Sequence, residues 1–346
     1  MGTKKNVTFS DIAEYTHFSK TTISRYFNNP DSLTLENQAI ISDALVKLNY
    51  KENKVARILA NGKTEFIGII IPNLYLHYYS EMLNQILSTY ETFGYKFLVF
   101  VGNENEEIER QYIRELLAYK IEGLIILSHT IPSHELAELS IPIVAIERED
   151  QYISSVNTDN YMGGVQATSL LLKHQCDIFI HINSPTPTAT PAYGCVRGFL
   201  DVCEQNLLDH RIIYKDLGSN YETTQKQLQE IIEELEHDYP DRKKGIFISN
   251  DTHANTLLNL LFRKHGRLPD DYLIVGFDNS PISREAIIPI STVGQQIDKL
   301  AFEAVSLLVD QMNERKKRKP MPLTKPVHKV ITPILFRRGT TEKDGI

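Results

Sequence analysis

A chain of 346 residues, 42% apolar and 23% charged, has the make-up of a globular protein, long enough for one short and one larger domain. Its apolar runs are too short for a membrane span, its opening MGTKKNVTFSDIAEY lacks a secretory core, and Cys176, Cys195 and Cys203 form no CxxC pair, so a cytoplasmic protein without disulfide framework or zinc ribbon is expected. Net charge is −7, yet residues 1–64 hold nine of the 37 Lys/Arg and only six of the 44 Asp/Glu: a basic head on an acidic body, as suits one small DNA-contacting domain.

Residues 8–49 read as short helices. Thr8 or Ser10 can cap a first through Ile12, Ala13 and Tyr15; Ser19 caps a second with Thr22, Ile23, Tyr26 and Phe27; Thr34 caps a third with Ile40, Ile41, Leu45 and Leu48 at helical spacing. In SDIAEYTHFSKTTISRYFNN, helix, short turn and Ser-capped second helix match a helix-turn-helix, with Ala13 small at the crossing and Phe18 and Ile23 filling the core. The outward side of the second helix then offers Lys20, Thr21, Ser24 and Arg25, types that reach base edges or phosphates in a major groove. By residue type alone, a solvated polar face fits them equally.

Beyond about residue 65, short apolar strands alternate with amphipathic helices. FIGIIIP, KFLVFVG, GLIILS and IPIVAIE lead into helices near 77–92, 106–119 and 134–139. After a helix near 160–173 come DIFIHINS, RIIYKD, GIFISND and YLIVGFD, with helices near 191–206, 221–237 and 253–265 between them. Such alternation predicts βαβ units in parallel sheets, here as two similar lobes without a sequence repeat. A helix near 297–316 and the strand-like VHKVITPILFRR close the chain. Ligands of open α/β sheets sit beyond the carboxyl ends of strands, where this chain places Glu147, Arg148, Asn250, Asp251 and Asp278. Each also suits a helix cap or a loop.

Gly62-Lys63-Thr64 mimics a phosphate loop, but Arg57 stands where a Gly is required. GxGxxG, HExxH and GxSxG are missing, so no dinucleotide enzyme, zinc protease or serine hydrolase is expected, and neither catalytic residue, metal nor cofactor. His129, His134, His174 and His181 are scattered and read as surface or core. The cations of 315–319 end a helix, where the dipole favours them.

Taken in order, VTFSDIAEY, FSKTTISRYFNN, ALVKLNYKENKVARILANG, FIGIIIPN, GYKFLV, IEGLIILS, IPIVAIER, VNTDNYMGG, VRGF, FISND, LIVGFDNS and ISTVGQ strongly resemble the lactose/galactose-repressor (LacI/GalR) family across nearly the whole chain. The resemblance implies an α/β protein: an all-α helix-turn-helix head (1–50), a hinge helix and linker (51–64) and a two-lobed, periplasmic-binding-protein-like body (65–340). The N-lobe would span about 65–160 and 294–322, the C-lobe about 161–292 and 324–340. It implies a cytoplasmic homodimer, or a tetramer, that holds a palindromic double-stranded operator and represses carbohydrate-utilisation genes under a small effector, a sugar or sugar phosphate.

Lys20, Thr21 and Arg25 fall where relatives read bases, and the DNA-facing set extends to Ser19, Thr22, Ser24 and Asn28. Asn53, Lys54, Val55, Ala56 and Leu59 fall on the hinge, with Leu59 as the apolar lever of the minor groove; a plain linker is the alternative. Glu147, Arg148, Asn250, Asp278 and Gln295 match effector positions, joined by Tyr75, Tyr78 and Tyr79, which could equally pack on a second subunit. Many relatives carry an effector-binding Arg three residues before the Gly-Phe pair. Here Cys195 stands there and Arg197 directly precedes Gly198, so Arg197 is the substitute candidate. Leu76-His77 replaces an Asn-Pro pair, His17 a turn Gly, and Glu52 a hinge-start Pro. Rival readings keep the DNA role with a nucleobase corepressor or a phosphoprotein coregulator, or make the body a solute-binding protein or enzyme.

Overall fold

Thr8, not Ser10, opens the first helix. Its hydroxyl accepts from the Asp11 amide while the Asp11 carboxylate accepts from the Thr8 amide, a reciprocal cap on α1 (Phe9–Thr16). Ser19 caps α2 (Lys20–Asn28) by accepting from the Thr22 amide, and Thr34 caps α3 (Leu35–Lys47) by accepting from the Asn37 amide. Ile12, Ile23, Ile41 and Ala44 meet in one small core, closed by Phe9 stacked on Phe27 at 5.0 Å. Between α1 and α2 the chain turns at His17 with φ +58°, a left-handed conformation that costs a non-glycine residue of the order of 1 kcal/mol.

The computed structural model describes residues 7–51, 64–188, 190–319 and 325–342. The hinge candidates Asn53, Lys54, Val55, Ala56 and Leu59 lie outside the described residues. Contacts divide the chain into two units, Met1–Lys63 and Thr64–Ile346.

In the second unit the apolar runs become β1 (Phe66–Ile71), β2 (Lys96–Val101), β3 (Gly123–Ile126) and β4 (Ile143–Ile146). They alternate with α4 (His77–Ser88), α5 (Tyr90–Phe93), α6 (Glu106–Ala118) and α7 (Ser133–Ala137). A fifth strand, β5 (Ser154–Thr158), follows β4, and α8 (Asn160–Lys173) carries the chain into the second lobe. There β6 (Ile178–Asn183), α9 (Tyr193–Gln205), β7 (His210–Tyr214), α10 (Tyr221–Asp238), β8 (Lys244–Ile248), α11 (Asp251–His265) and β9 (Tyr272–Asp278) repeat the pattern. After α12 (Ile282–Glu285) and β10 (Ser291–Gly294), α13 (Ile297–Arg315) returns to the first lobe.

With β11 (His328–Ile331) and β12 (Ile334–Phe336), strand order is β11-β5-β4-β3-β1-β2 in one sheet and β12-β10-β9-β8-β6-β7 in the other, parallel throughout except for β12 on β10. The tail corrects the expected C-lobe of 324–340. VHKVITPILFRR is not one strand: β11 (His328–Ile331) pairs with β5 in the N-lobe, and only β12 (Ile334–Phe336) joins the C-lobe. Pro333 separates them, because it has no N–H to continue a ladder. Three segments therefore cross between the lobes, at 158–160, 294–297 and 331–334. Where α8 and α9 cross, Gly164 and Gly198 admit the opposing backbone; a Cβ at Gly198 would overlap the Tyr161 carbonyl. That close approach places Cys195 against Asn160, with Sγ 3.7 Å from Oδ1.

Candidate functional site

Two separate surfaces carry the chemistry. On the head, Ser19, Lys20, Thr21, Arg25 and Asn28 are exposed along α2, while Thr22 and Ser24 are half-buried. The Ser19 and Thr22 hydroxyls, 2.9 Å apart, serve the helix cap. Asn28 Nδ2 donates to the carbonyl and hydroxyl of Ser24 at 3.0 and 3.1 Å. Lys20, Thr21 and Arg25 keep their polar ends turned to solvent on one side of a rigid, capped helix.

In the body, the carboxyl ends of both sheets face a cavity of about 660 Å³. Its wall includes Tyr78, Tyr79, Glu147, Asn250, Asp278 and Gln295. Glu147 ends β4 with φ +57° and Asp278 ends β9 with φ +105°, backbone regions that side-chain-bearing residues seldom occupy. Strain of this kind persists where the surroundings fix it, and it clusters at ligand sites. One Glu147 oxygen accepts from the Thr158 amide at 2.5 Å and the other from Asn160 Nδ2 at 2.6 Å. Thr158 in turn donates to Gln295 Oε1 (2.7 Å), and Gln295 Nε2 donates to Asp278 (2.6 Å). One unbroken chain of bonds thus ties the acid of one lobe to the acid of the other through two crossover segments.

Burial raises the Glu147 carboxyl, although the Asn160 and Thr158 bonds oppose the rise. Burial raises Asp278 well above the usual range, and the charges of Asp251 and Glu147 add to it. Asp251 itself is off the cavity: pushed up to about 7 by burial, it braces the loop after β9 by accepting from Thr292 Oγ1 at 2.6 Å and the Ser280 amide at 2.8 Å. Opposite the bond chain, the His77 amide and Nδ1 lie 2.9 and 3.0 Å from Thr252 Oγ1, so α4 of one lobe touches α11 of the other.

Three expected effector residues are elsewhere. Arg148 donates to the carbonyls of Ser128 and Ile131 and sits beside Asp150, because the turn after Glu147 sends it to the far side of β4. Arg197 is exposed over the Tyr161 ring at 5.7 Å, and it is Cys195, two residues earlier on α9, that faces the cavity. Tyr75 is likewise not part of the wall. Of the histidines expected as surface or core, His129 and His181 line the cavity, His181 fully buried, and His253, not singled out from the sequence, joins them. His181 Nδ1 lies 3.0 Å from the Phe247 carbonyl and so carries the proton, leaving a lone pair on Nε2. Asn73, Glu104, Asn160, Asn183 and Asp216 were also missed. Asn73 alone carried a signal, as the first polar residue after a strand-ending Pro.

Among the described residues no group of three or more His, Cys, Asp or Glu could hold a metal, and no helix is long and apolar enough to cross a membrane.

Residues 168–332 match a periplasmic binding protein-like domain. Along 96% of the chain and 97% of the relative, it is 28% identical to the ribose operon repressor of Halalkalibacterium halodurans. It is also 28% identical to the sucrose operon repressor of Streptococcus mutans serotype c, over 88% of the chain and 93% of the relative. Head and body are thus matched together, in one continuous correspondence. In head and body together, the chain is similar to regulators of the LacI/GalR family.

It is a carbohydrate-related DNA-binding transcriptional regulator and not an enzyme. Its fold is that of the lac repressor dimer bound to operator and the anti-inducer ONPF, with a TM-score of 0.77 at 23% identity over 97% of this chain and 99% of that one. Another solved relative is a LacI transcriptional regulator from Alkaliphilus metalliredigens QYMF complexed with D-xylulofuranose, which has a TM-score of 0.68 at 26% identity over 80% of this chain and 99% of that one.

Proposed function

We propose that this regulator represses carbohydrate-utilisation genes in the cytoplasm. A homodimer grips a two-fold-related operator, and a small carbohydrate in the cleft changes that grip. The cleft carries the reading: acids and amides from both lobes, linked Glu147–Thr158–Gln295–Asp278, converge where a closing pair of lobes would enclose vicinal hydroxyls. Relatives named for ribose and sucrose operons support the same chemistry. A nucleobase corepressor fits less well, since Tyr78 and Tyr79 meet edge to face, with planes 67° apart, and offer no parallel slot for a flat ring.

Two-fold protein symmetry calls for two related half-sites, each met by one α2 through Lys20, Thr21 and Arg25, with Ser19, Thr22, Ser24 and Asn28 shaping the helix start and its last turn. Residues 51–64 join head to body and include Asn53, Lys54, Val55, Ala56 and Leu59, which we assign to the DNA contact. Ligand and DNA are then coupled reciprocally, since each shifts the population the other prefers. Asp278→Ala separates the two functions. It should abolish thermal stabilisation by the cognate sugar and the sugar's effect on DNA binding, while affinity for operator without sugar stays within about twofold. An Asp278→Ala protein that still responds to sugar refutes the cleft assignment.

A further inference from the structure

Among the described residues, four acidic side chains line the cleft, Glu104, Glu147, Asp216 and Asp278, and no Lys or Arg does. The nearby cations are spoken for or turned away: Arg148 donates to backbone carbonyls, and Arg197 lies exposed over Tyr161. Cys195, the α9 side chain on the cleft wall, is buried and without charge. The histidines do not compensate. Burial pushes His129, His181 and His253 down to about 4, so all three are neutral at physiological pH.

Further polar atoms await a partner. The Tyr78 hydroxyl and His181 Nε2 are buried in the cleft wall without any hydrogen bond. By its tautomer, His181 Nε2 is an acceptor, and it joins four acidic groups that no cation faces; burial favours the neutral forms of Glu147 and Asp278, and a cation beside them would favour the ionised ones. A phosphate or carboxylate placed there would lose its water beside like charges with no cation to meet it. A protonated amine brings three donors and a positive charge and can satisfy Glu147 and Asp278 together.

We infer that the cleft selects a carbohydrate bearing a protonated amine and excludes phosphorylated sugars. This rests on the carbohydrate reading of the cleft and names the ligand class within it. A sugar phosphate would find no cation on the cleft wall among the described residues.

The test is calorimetry and thermal shift on the full-length chain at neutral pH with three matched sets: D-glucose, D-galactose and D-mannose, each beside its 2-amino-2-deoxy and 6-phosphate forms. At least one amino sugar should bind about tenfold or more tighter than its neutral parent, and no 6-phosphate should bind. Neutral parents binding as tightly as their amino forms, or any 6-phosphate binding, overturns the inference and leaves the carbohydrate reading intact. Failure of every member, and of ribose, xylulose, sucrose and cellobiose added to the panel, overturns the carbohydrate reading and the inference together. Glu147→Gln should erase the preference for the amine. Because Glu147 also braces the Thr158 and Asn160 turn, Cys195→Arg provides a second arm: a guanidinium at the cleft wall should reverse the preference, weakening the amino sugar at least tenfold relative to its neutral parent. A folded Cys195→Arg protein with an undiminished amine preference contradicts the inference.

Discussion

Arg25 stands on the exposed side of α2 one turn beyond its start, with the helix anchored beneath it by Ile23 in the head core. If it reads a base edge, Arg25→Ala should cost about 1–3 kcal/mol on the cognate duplex and much less on random DNA, as measured by anisotropy titration at fixed salt. Equal losses on both duplexes would make it a phosphate contact. His181 offers a test of the cleft floor. Its ring stacks on Phe247 at 4.5 Å, and burial pushes it down to about 4 from the ordinary 6.5. The unfolded chain therefore takes up this proton first, so stability present above pH 6.5 is lost as pH falls through that window. His181→Phe should remove up to about 3 kcal/mol of this acid sensitivity. Buried carboxyls such as Asp251 titrate with the opposite sign, so the quantity to read is the difference between wild type and variant in denaturant melts from pH 7 to pH 4.

Elements were legible in proportion to how strongly their residues advertised them. Caps at Ser19 and Thr34 and apolar runs such as FIGIIIP marked α2, α3 and β1 plainly. Ser19→Ala should accordingly lower the stability of the head by about 1 kcal/mol in thermal melts. By contrast, β5 reads SSVNT and β10 reads STVG. Both are buried, but their polar side chains are satisfied by long-range partners: Gln311 donates to Ser154, and Ser291 bonds Thr341. No local pattern announces such a strand, because its stability comes from neighbours over a hundred residues away in one case and about fifty in the other. The same holds for Arg148 and Arg197. Residue type suggested ligand contacts, while a turn after β4 and the helical phase of α9 decided otherwise.

Across the cleft, the His77–Thr252 bonds join α4 to α11. Thr252→Val removes the acceptor with little change of volume. It should cost about 1 kcal/mol of lobe closure, seen as a larger radius of gyration in X-ray scattering and about fivefold weaker binding of the cleft ligand. Unchanged scattering and affinity would mean that these bonds do not hold the lobes together.

At the scale of the molecule, the separation of charge matters most. A basic head suits contact with DNA and an acidic body does not, and the cleft with its four acids lies wholly in the body. The two-lobed architecture was readable from the alternation of strands and helices. The exchange of β11 and β12 between the lobes was not, because a single Pro decides it. The joining segment contributes the remaining part of the account through the proposed roles of residues 53–59.

Everything turns on whether ligand in the body and DNA on the head are linked. The most direct measurement is selection of duplexes from a randomised pool by the full-length protein at moderate salt, followed by titration of the enriched duplex with and without saturating cleft ligand. The account predicts enrichment of a two-fold-symmetric site and at least a tenfold change in its affinity when the ligand is added. A pool that stays random, or an enriched duplex whose affinity ignores a ligand demonstrably bound in the cleft, would contradict it.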